Sequence, residues 1–155
     1  MQIFRVSADH QVSARFLDNR RLSKQVLELY QIIRVCLAEM GVIEGNTRYL
    51  SHPIVKHVYH EGTPYLADTM ALLEAMNAEH LRRGGKRSDA FREDLERLRK
   101  IVSQVAHLNP DPLPPFYVYG DDKVVGEDAY VCYEALLFQK WQADKIAPRC
   151  GWRGV

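Results

Sequence analysis

Apolar residues recur at helical spacing through most of the chain. The clearest stripe begins at Leu22 and ends at Met40, with steps of four and three residues that place its members on one face of a helix. Asp18 or Asn19 provides a polar N-cap for this helix. The pattern therefore predicts a helix over residues 20–40.

Three further segments show the same periodicity and carry helix start signals. Thr63 supplies an N-cap hydroxyl and Pro64 the first helical position, which predicts a helix that ends at Gly84-Gly85. Ser88 caps the next predicted helix, and Asn109-Pro110 closes it. A last helix is predicted after Gly126, and weaker helical patterns occupy residues 8–17 and 53–60.

Two segments lack helical periodicity. Residues 1–7 alternate apolar and polar side chains, which predicts an extended N-terminal segment. Residues 109–120 contain four prolines and three aromatic residues, which predicts a polyproline-like connection that lays its rings against the helices. Because helical periodicity runs through most of the chain, the expected fold is all-α, a compact helical bundle with an extended N-terminal segment. Because no repeat or flexible linker interrupts residues 1–155, we expect a single domain.

The composition is that of an ordinary globular protein. Of 155 residues, 46% are hydrophobic and 26% are charged, and the net charge is +1, which excludes a largely disordered chain. A membrane span needs about 20 consecutive apolar residues, and no run approaches that length. The N-terminus lacks an export signal, and the cysteines Cys36, Cys132 and Cys150 are too few and too widely spaced for a disulfide framework. These features predict a cytoplasmic protein without membrane association.

Most familiar catalytic and ligand-binding motifs are missing. The chain has no C-x-x-C pair, no G-x-S-x-G and no G-x-x-x-x-G-K-[ST]. His52, His57 and His60 are close in sequence but do not form the H-E-x-x-H pattern, so we predict neither a metal site nor a cofactor. The turn at Lys86 and Arg87 is either a phosphate site at the start of the following helix or a solvated loop.

Positive charge is concentrated at the start of the first long predicted helix. Arg20, Arg21 and Lys24 crowd its first turns, and only Asp18 and Glu28 are close enough in sequence to offset them. Cations are unfavourable at the positive end of a helix dipole, and the apolar stripe packs without them. We therefore predict that an anion binds here; the alternative is a solvated polar face.

Three motifs in the first two thirds of the chain resemble one enzyme family. They are L-D-x-R-R-L-x-K-Q at residues 17–25, N-x-R-Y-L-x-H-P at 46–53 and E-H-L-R-R-G at 79–84. These segments, with the extended N-terminus, resemble the pyrimidine-dimer DNA glycosylase/lyase family of the phage endonuclease V type, in a divergent bacterial branch. The likeness covers residues 1–107, and residues 108–155 add the proline-rich connection and the last helix.

The resemblance implies a DNA substrate and a nucleophile at the start of the chain. In that family the α-amine attacks the sugar C1′ carbon of a damaged nucleotide, and the resulting imine permits strand cleavage. An α-amine suits this role because its ordinary pKa near ~8 leaves part of it neutral at cellular pH. The large Gln2 side chain favours retention of Met1, whose amine would then attack. Arg21 corresponds to the catalytic glutamate of the phage enzymes, so Glu28 or Glu61 is the candidate acid.

The sequence thus predicts a DNA-binding protein that resembles a glycosylase and abasic-site lyase acting on damaged or modified DNA. The alternatives are a nucleic-acid binder that has lost the chemistry and a protein-interaction domain with an acidic partner. The predicted catalytic residues are Met1, Arg20, Arg21, Lys24 and Glu28. The predicted nucleic-acid-binding residues are Arg20, Lys24, His52, Lys56, Arg82, Arg83, Lys86 and Arg87.

Overall fold

The computed structural model describes residues 1–145, so Cys150 lies outside the described residues. Within this range the chain forms six α-helices, two short 3-10 turns and one two-stranded sheet. The helices are α1 (His10–Phe16), α2 (Asn19–Glu39), α3 (Pro53–Tyr59), α4 (Leu66–Arg82), α5 (Asp89–Gln104) and α6 (Asp128–Ala143). The strands are β1 (Phe116–Tyr119) and β2 (Asp122–Val125), and the 3-10 turns are Arg48–Ser51 and His60–Gly62.

The strongest helix signals in the sequence agree with the structure. Helix α2 begins one residue before the predicted start, and the Asp18 side chain accepts a hydrogen bond from the Arg21 N–H as its N-cap. Ser88 caps α5 in the same way, by accepting from the Phe91 N–H. The two weaker patterns correspond to α1 and α3. Local capping chemistry therefore locates these helices well.

Two helix boundaries differ from the prediction. Helix α4 begins at Leu66, and the Thr63 hydroxyl donates to the His60 carbonyl instead of capping the helix. Helix α5 ends at Gln104, before the predicted Asn109-Pro110 stop, and His107 adopts a left-handed φ of 67°. The helix has already ended at Val105, whose backbone is extended with φ −76° and ψ 128°, so the chain leaves the helix before the first proline requires it.

The all-α prediction is wrong in one element, an antiparallel hairpin that follows the proline-rich connection. Strand β1 pairs with β2 in a register that sets Phe116 opposite Val125 and Tyr119 opposite Asp122. Proline cannot donate to a strand ladder, so pairing becomes possible once the prolines end at Pro115. Aromatic and β-branched residues then favour strands, and Gly120 supplies the positive φ of the turn.

One buried cluster draws on every helix and on β1. Helix α2 lies at its centre and buries a face that includes Leu22, Leu29 and Ile33. The N-terminal segment lies across α2 and α6, where Ile3 and Phe4 are buried and the Phe4 ring meets the Tyr133 ring edge-on at 5.5 Å. None of the helices within residues 1–145 is long and apolar enough to span a bilayer.

A polar clamp holds the proline-rich connection against the N-terminal segment. The buried Arg5 donates to the Leu113 carbonyl at 2.7 Å, and Asp68 accepts from the Leu113 N–H at 2.6 Å. Asp68 also contacts the His10 ring at 2.7 Å. Burial alone would raise the pKa of Asp68, but the hydrogen bonds from His10 and Leu113 outweigh it and lower this pKa. The clamp thereby fixes the connection that leads to the hairpin and α6.

Candidate active site

The first residues of the chain are held by side chains of α2 and α6. The Gln25 carboxamide accepts from the Phe4 N–H at 2.8 Å and donates to the Gln2 carbonyl at 2.8 Å. The Gln2 N–H donates to Glu28 Oε2 at 3.0 Å, and the Tyr133 hydroxyl donates to Gln2 Oε1 at 2.8 Å. Because positions 25 and 28 are one turn apart on α2, they face the same segment. These bonds fix the amine-bearing end of the chain beside Glu28.

A pocket of about 390 Å³ opens at this end of the chain. It brings together all five residues that the sequence predicts as catalytic, although they come from two separate segments. Its remaining walls come from the N-terminal segment, α2 and α6. The lining residues are Met1, Gln2, Phe4, Arg20, Arg21, Lys24, Gln25, Glu28 and Lys140.

Arg21 is engaged by carboxylates inside the protein. Its guanidinium donates to both oxygens of Asp144, at 2.7 and 3.0 Å, and to Asp18 Oδ1 at 3.2 Å. The hydrogen bond to Asp144 raises the pKa of Arg21, with burial opposing and Asp18 adding to the effect, and Arg21 in turn lowers the pKa of Asp144. Trp141 also donates to Asp18, at 2.8 Å. Arg21 therefore ties the end of α6 to the start of α2.

The other cations of the pocket are more available to a ligand. Lys24 is 75% exposed and contacts Glu28 at 3.5 Å, a surface pair of small net value. Arg20 is exposed, and it forms no ion pair with a carboxylate in the part of the chain that the structure describes. Lys140 lies over the Tyr119 ring at 5.3 Å. The pocket therefore has a positive excess that favours an anionic ligand.

His52 lies next to the pocket, near enough to the first residue's amine and to Glu28 to interact with both charges. Burial lowers the pKa of His52, the amine lowers it further, and Glu28 opposes the shift. Its Nδ1 accepts from the Ile54 N–H at 3.1 Å, so the neutral ring carries its proton on Nε2. The neutral His52 ring therefore keeps one N–H to donate, although His52 does not line the pocket.

The four basic residues around the end of α4 do not line this pocket. The Arg83 guanidinium is buried and donates to Glu79 and to the carbonyls of residues 14, 15 and 17 at the end of α1. Arg82 pairs with Glu79, and Arg87 donates to the Ser23 carbonyl at 2.8 Å. Lys86 is exposed. Arg83 therefore joins the end of α1 to α4 through these hydrogen bonds.

Sequence reasoning missed four residues that shape the pocket: Gln2, Gln25, Lys140 and Asp144. Gln25 could have been found, because it is a polar residue on the apolar side of a predicted helix. An amide buried at such a position needs hydrogen-bond partners. Lys140 and Asp144 lie more than 100 residues in sequence from the residues of α2 that they meet at the pocket, and nothing local indicates their role. Glu61, the alternative acid, is exposed on a 3-10 turn and does not line the pocket.

The site offers hydrogen-bonding and charged groups and no metal-ligand set. Across residues 1–145, no group of three or more His, Cys, Asp or Glu side chains is arranged to hold a metal ion. The pocket chemistry therefore consists of an amine, one carboxylate, a neutral imidazole nearby and several cations. An amine beside a carboxylate can form and resolve a covalent imine, since one group attacks and the other transfers protons.

Comparison with known proteins identifies a family for the first part of the chain. The family model described as pyrimidine dimer DNA glycosylase matches residues 1–93, a shorter stretch than the 107 residues expected from the motifs. A search of curated proteins and a search of solved structures give no significant match. The matched range contains Met1, the basic start of α2, Glu28 and His52. The chain belongs to the pyrimidine dimer DNA glycosylase family.

Proposed function

We propose that the protein is a DNA glycosylase with abasic-site lyase activity, and that the amine of Met1 is its nucleophile. One observation carries this proposal: the same pocket is lined by Met1, Glu28, Arg20 and Lys24. Within it, Glu28 accepts a hydrogen bond from the N–H of Gln2, the residue that follows Met1. A cytoplasmic location is part of the proposal, supported by the free thiols of Cys36 and Cys132.

The chemistry follows from the groups around the amine. The neutral amine attacks C1′ of the damaged nucleotide, a C–N bond forms, and the glycosidic bond breaks with release of the base. Glu28 takes the proton that the amine loses and passes it to the departing base. The C1′–O4′ bond then breaks as the C=N bond forms, O4′ takes the second proton of the nitrogen, and an imine remains between Met1 and the opened sugar. Removal of a C2′ proton then expels the 3′ phosphate and cuts the strand. Each step needs a base or acid within reach, and Glu28 is the carboxylate that lines the pocket.

Arg20 and Lys24 hold the phosphates on either side of the attacked sugar. They are one turn apart on the exposed face of α2, and both line the pocket. Lys140 adds a third cation from α6. Because Arg21 is bound by Asp18 and Asp144, its contribution is to position α6 and not to contact DNA. The substrate in this proposal is damaged or modified DNA, whose disturbed stacking lets a nucleotide enter the pocket.

Borohydride trapping tests the proposal directly. The protein is incubated with DNA that contains one abasic site, reduced with borohydride, and digested for mass spectrometry. We expect a covalent adduct on the Met1 peptide, because reduction converts the imine into a stable amine. A variant with two residues added before Met1 should give no adduct, since the new amine lies outside the pocket.

The position of the adduct decides between the alternatives. An adduct on the Lys24 or Lys140 peptide would contradict the assignment of Met1. Absence of any adduct, together with salt-dependent DNA binding, would instead identify a binder that has lost the chemistry. Absence of DNA binding at low salt would favour an interaction domain.

Arg20→Ala is expected to weaken binding to DNA of every sequence to a similar degree. The plot of log K against log salt concentration should become shallower by about 1, because one phosphate contact is lost. Fluorescence anisotropy at several salt concentrations measures both quantities. Arg92→Ala on α5 is the matched control, since Arg92 is exposed but pairs with Asp89. An unchanged slope in Arg20→Ala would remove Arg20 from the interface.

A further inference from the structure

A second cavity, of about 830 Å³, lies between the 3-10 turn Arg48–Ser51, helix α3 and the hairpin. We call it the α3 groove. Its volume is in the range of sites that hold small organic molecules, about 300–1,000 Å³. None of the residues that line the groove takes part in the proposed chemistry at Met1. The lining residues are Thr47, Arg48, Leu50, Ser51, Pro53, Lys56, His57, Tyr59, Glu61, Phe116 and Lys123.

The floor of the groove is aromatic. The His57 and Phe116 rings are 4.6 Å apart between centroids and inclined by 31°, and Tyr59 lies beside them. His57 Nε2 donates to the Pro114 carbonyl at 2.7 Å, which fixes the ring. Burial lowers the pKa of His57 despite that hydrogen bond, so the ring is neutral at neutral pH. The groove therefore offers flat, uncharged surfaces on which a nucleobase can stack.

The rim of the groove is cationic. Arg48, Lys56 and Lys123 are exposed, and none of them forms an ion pair with a carboxylate of residues 1–145. The arginines of α5 differ, because each of the three pairs with an acidic side chain. Glu61 is the carboxylate on the groove wall. Three cations and one carboxylate thus leave a net positive charge around the aromatic floor.

Helix α3 connects the groove to the active-site pocket. Helix α3, which His52 caps, and the 3-10 turn before it both pack against α2, the helix that lines the pocket, and the charge of Glu28 on α2 acts on His52. Lys56 follows His52 by one helical turn, or about 6 Å along the axis. That distance corresponds to about two nucleotides of a strand, at 3.4 Å for each phosphate. A strand that leaves the pocket along α3 therefore reaches the groove within a few nucleotides.

We infer that the α3 groove binds unpaired DNA that flanks the attacked nucleotide. Arg48, Lys56 and Lys123 contact its phosphates, and a base stacks on the Phe116 and His57 rings. Cations combined with aromatic rings are the usual means of binding single strands, whereas paired bases in a duplex cannot present their faces to a ring. The inference rests on the proposed function, because it assumes that the nucleotide in the pocket belongs to a DNA strand.

The test compares two DNAs that carry the same stable abasic analogue. One is fully paired, and in the other the nucleotides on one side of the analogue are unpaired, with each side examined in turn. We expect the wild-type protein to bind one partly unpaired DNA about tenfold more tightly than the duplex, the gain typical of one stacked base. Lys56→Ala combined with Lys123→Ala should abolish this gain, and Phe116→Leu should reduce it, because leucine keeps the packing but lacks the ring face.

Lys100→Ala is the matched control, since Lys100 is an exposed lysine on α5 that does not line the groove. It should retain the full preference for unpaired DNA. Equal binding of the two DNAs by the wild type, or a preference that survives in the Lys56/Lys123 double variant, would overturn the inference.

Borohydride trapping on saturating duplex DNA separates this inference from the proposed function. The Lys100→Ala control should form the Met1 adduct like the wild type. If no protein forms the adduct while groove substitutions still remove the preference for unpaired DNA, the chemistry is wrong and the groove assignment stands.

Discussion

Replacing Glu28 with glutamine is expected to lower the rate of imine formation on abasic DNA by about 10²–10⁴-fold, the usual contribution of a general acid–base group. Glu28 lies one residue from the attacking amine because it accepts the Gln2 N–H at 3.0 Å. Glutamine keeps an oxygen for that N–H but cannot take the proton released by the amine. The lost contact with Lys24 matters little, since Lys24 is largely exposed. Single-turnover trapping with saturating DNA measures the rate.

Two further variants serve as controls for the Glu28→Gln result. Glu39→Gln changes an exposed glutamate at the end of α2 and should trap at the wild-type rate. DNA affinity should not fall in Glu28→Gln, because the substitution removes a negative charge from an anion-binding pocket. If Glu28→Gln retains wild-type trapping while Glu61→Gln loses it, the proton-transfer role belongs to Glu61 and our assignment is wrong.

Gln25→Leu is expected to reduce both stability and activity. Gln25 is buried, and leucine fills a similar volume but leaves the Phe4 N–H and the Gln2 carbonyl without their partner. A buried donor or acceptor without a partner costs about 1–3 kcal/mol of unfolding free energy. The loosened first residues should also slow imine formation by about 10²-fold, since small displacements of a nucleophile are costly. Urea unfolding and single-turnover trapping measure the two effects.

Gln31→Leu is the matched control for this substitution. Gln31 lies on the same helix and is half-buried, and its side chain forms no hydrogen bond within residues 1–145. It should change the free energy of unfolding by less than about 0.5 kcal/mol. A Gln25→Leu protein with wild-type stability and trapping would mean that the bonds to Phe4 and Gln2 do not hold the first residues in place.

The local features of the site could be predicted from the sequence, and the long-range ones could not. Arg20, Lys24 and Glu28 follow one another at helical spacing, so the spacing alone places them on a common flank. The role of Arg21 depends on Asp144, 123 residues away, and a count of nearby charges does not reveal such a partner. For the same reason, the sequence does not reveal that the Arg83 guanidinium pairs with Glu79 and donates to the Leu17 carbonyl at the end of α1.

The hairpin shows a second limit of sequence patterns. The proline-rich residues 109–120 predict an extended connection; residues 109–115 form neither helix nor strand, and Phe116–Tyr119 is a strand. Strand pairing, however, is a property of two segments at once, and the partner strand Asp122–Val125 has a polar start and no strong pattern of its own. The Gly120 turn is the one local sign that the chain reverses direction there.

The hydrogen bond between Gln2 and Tyr133 joins residues that are 131 positions apart in sequence. Lys140, which also lines the pocket, lies still further along the chain. During translation the first residues leave the ribosome long before the last helix exists. A nascent chain therefore has an amine but no completed site around it. Docking of α6 is therefore the folding step that completes the pocket, because the bond from Tyr133 to Gln2 and the wall at Lys140 form only then.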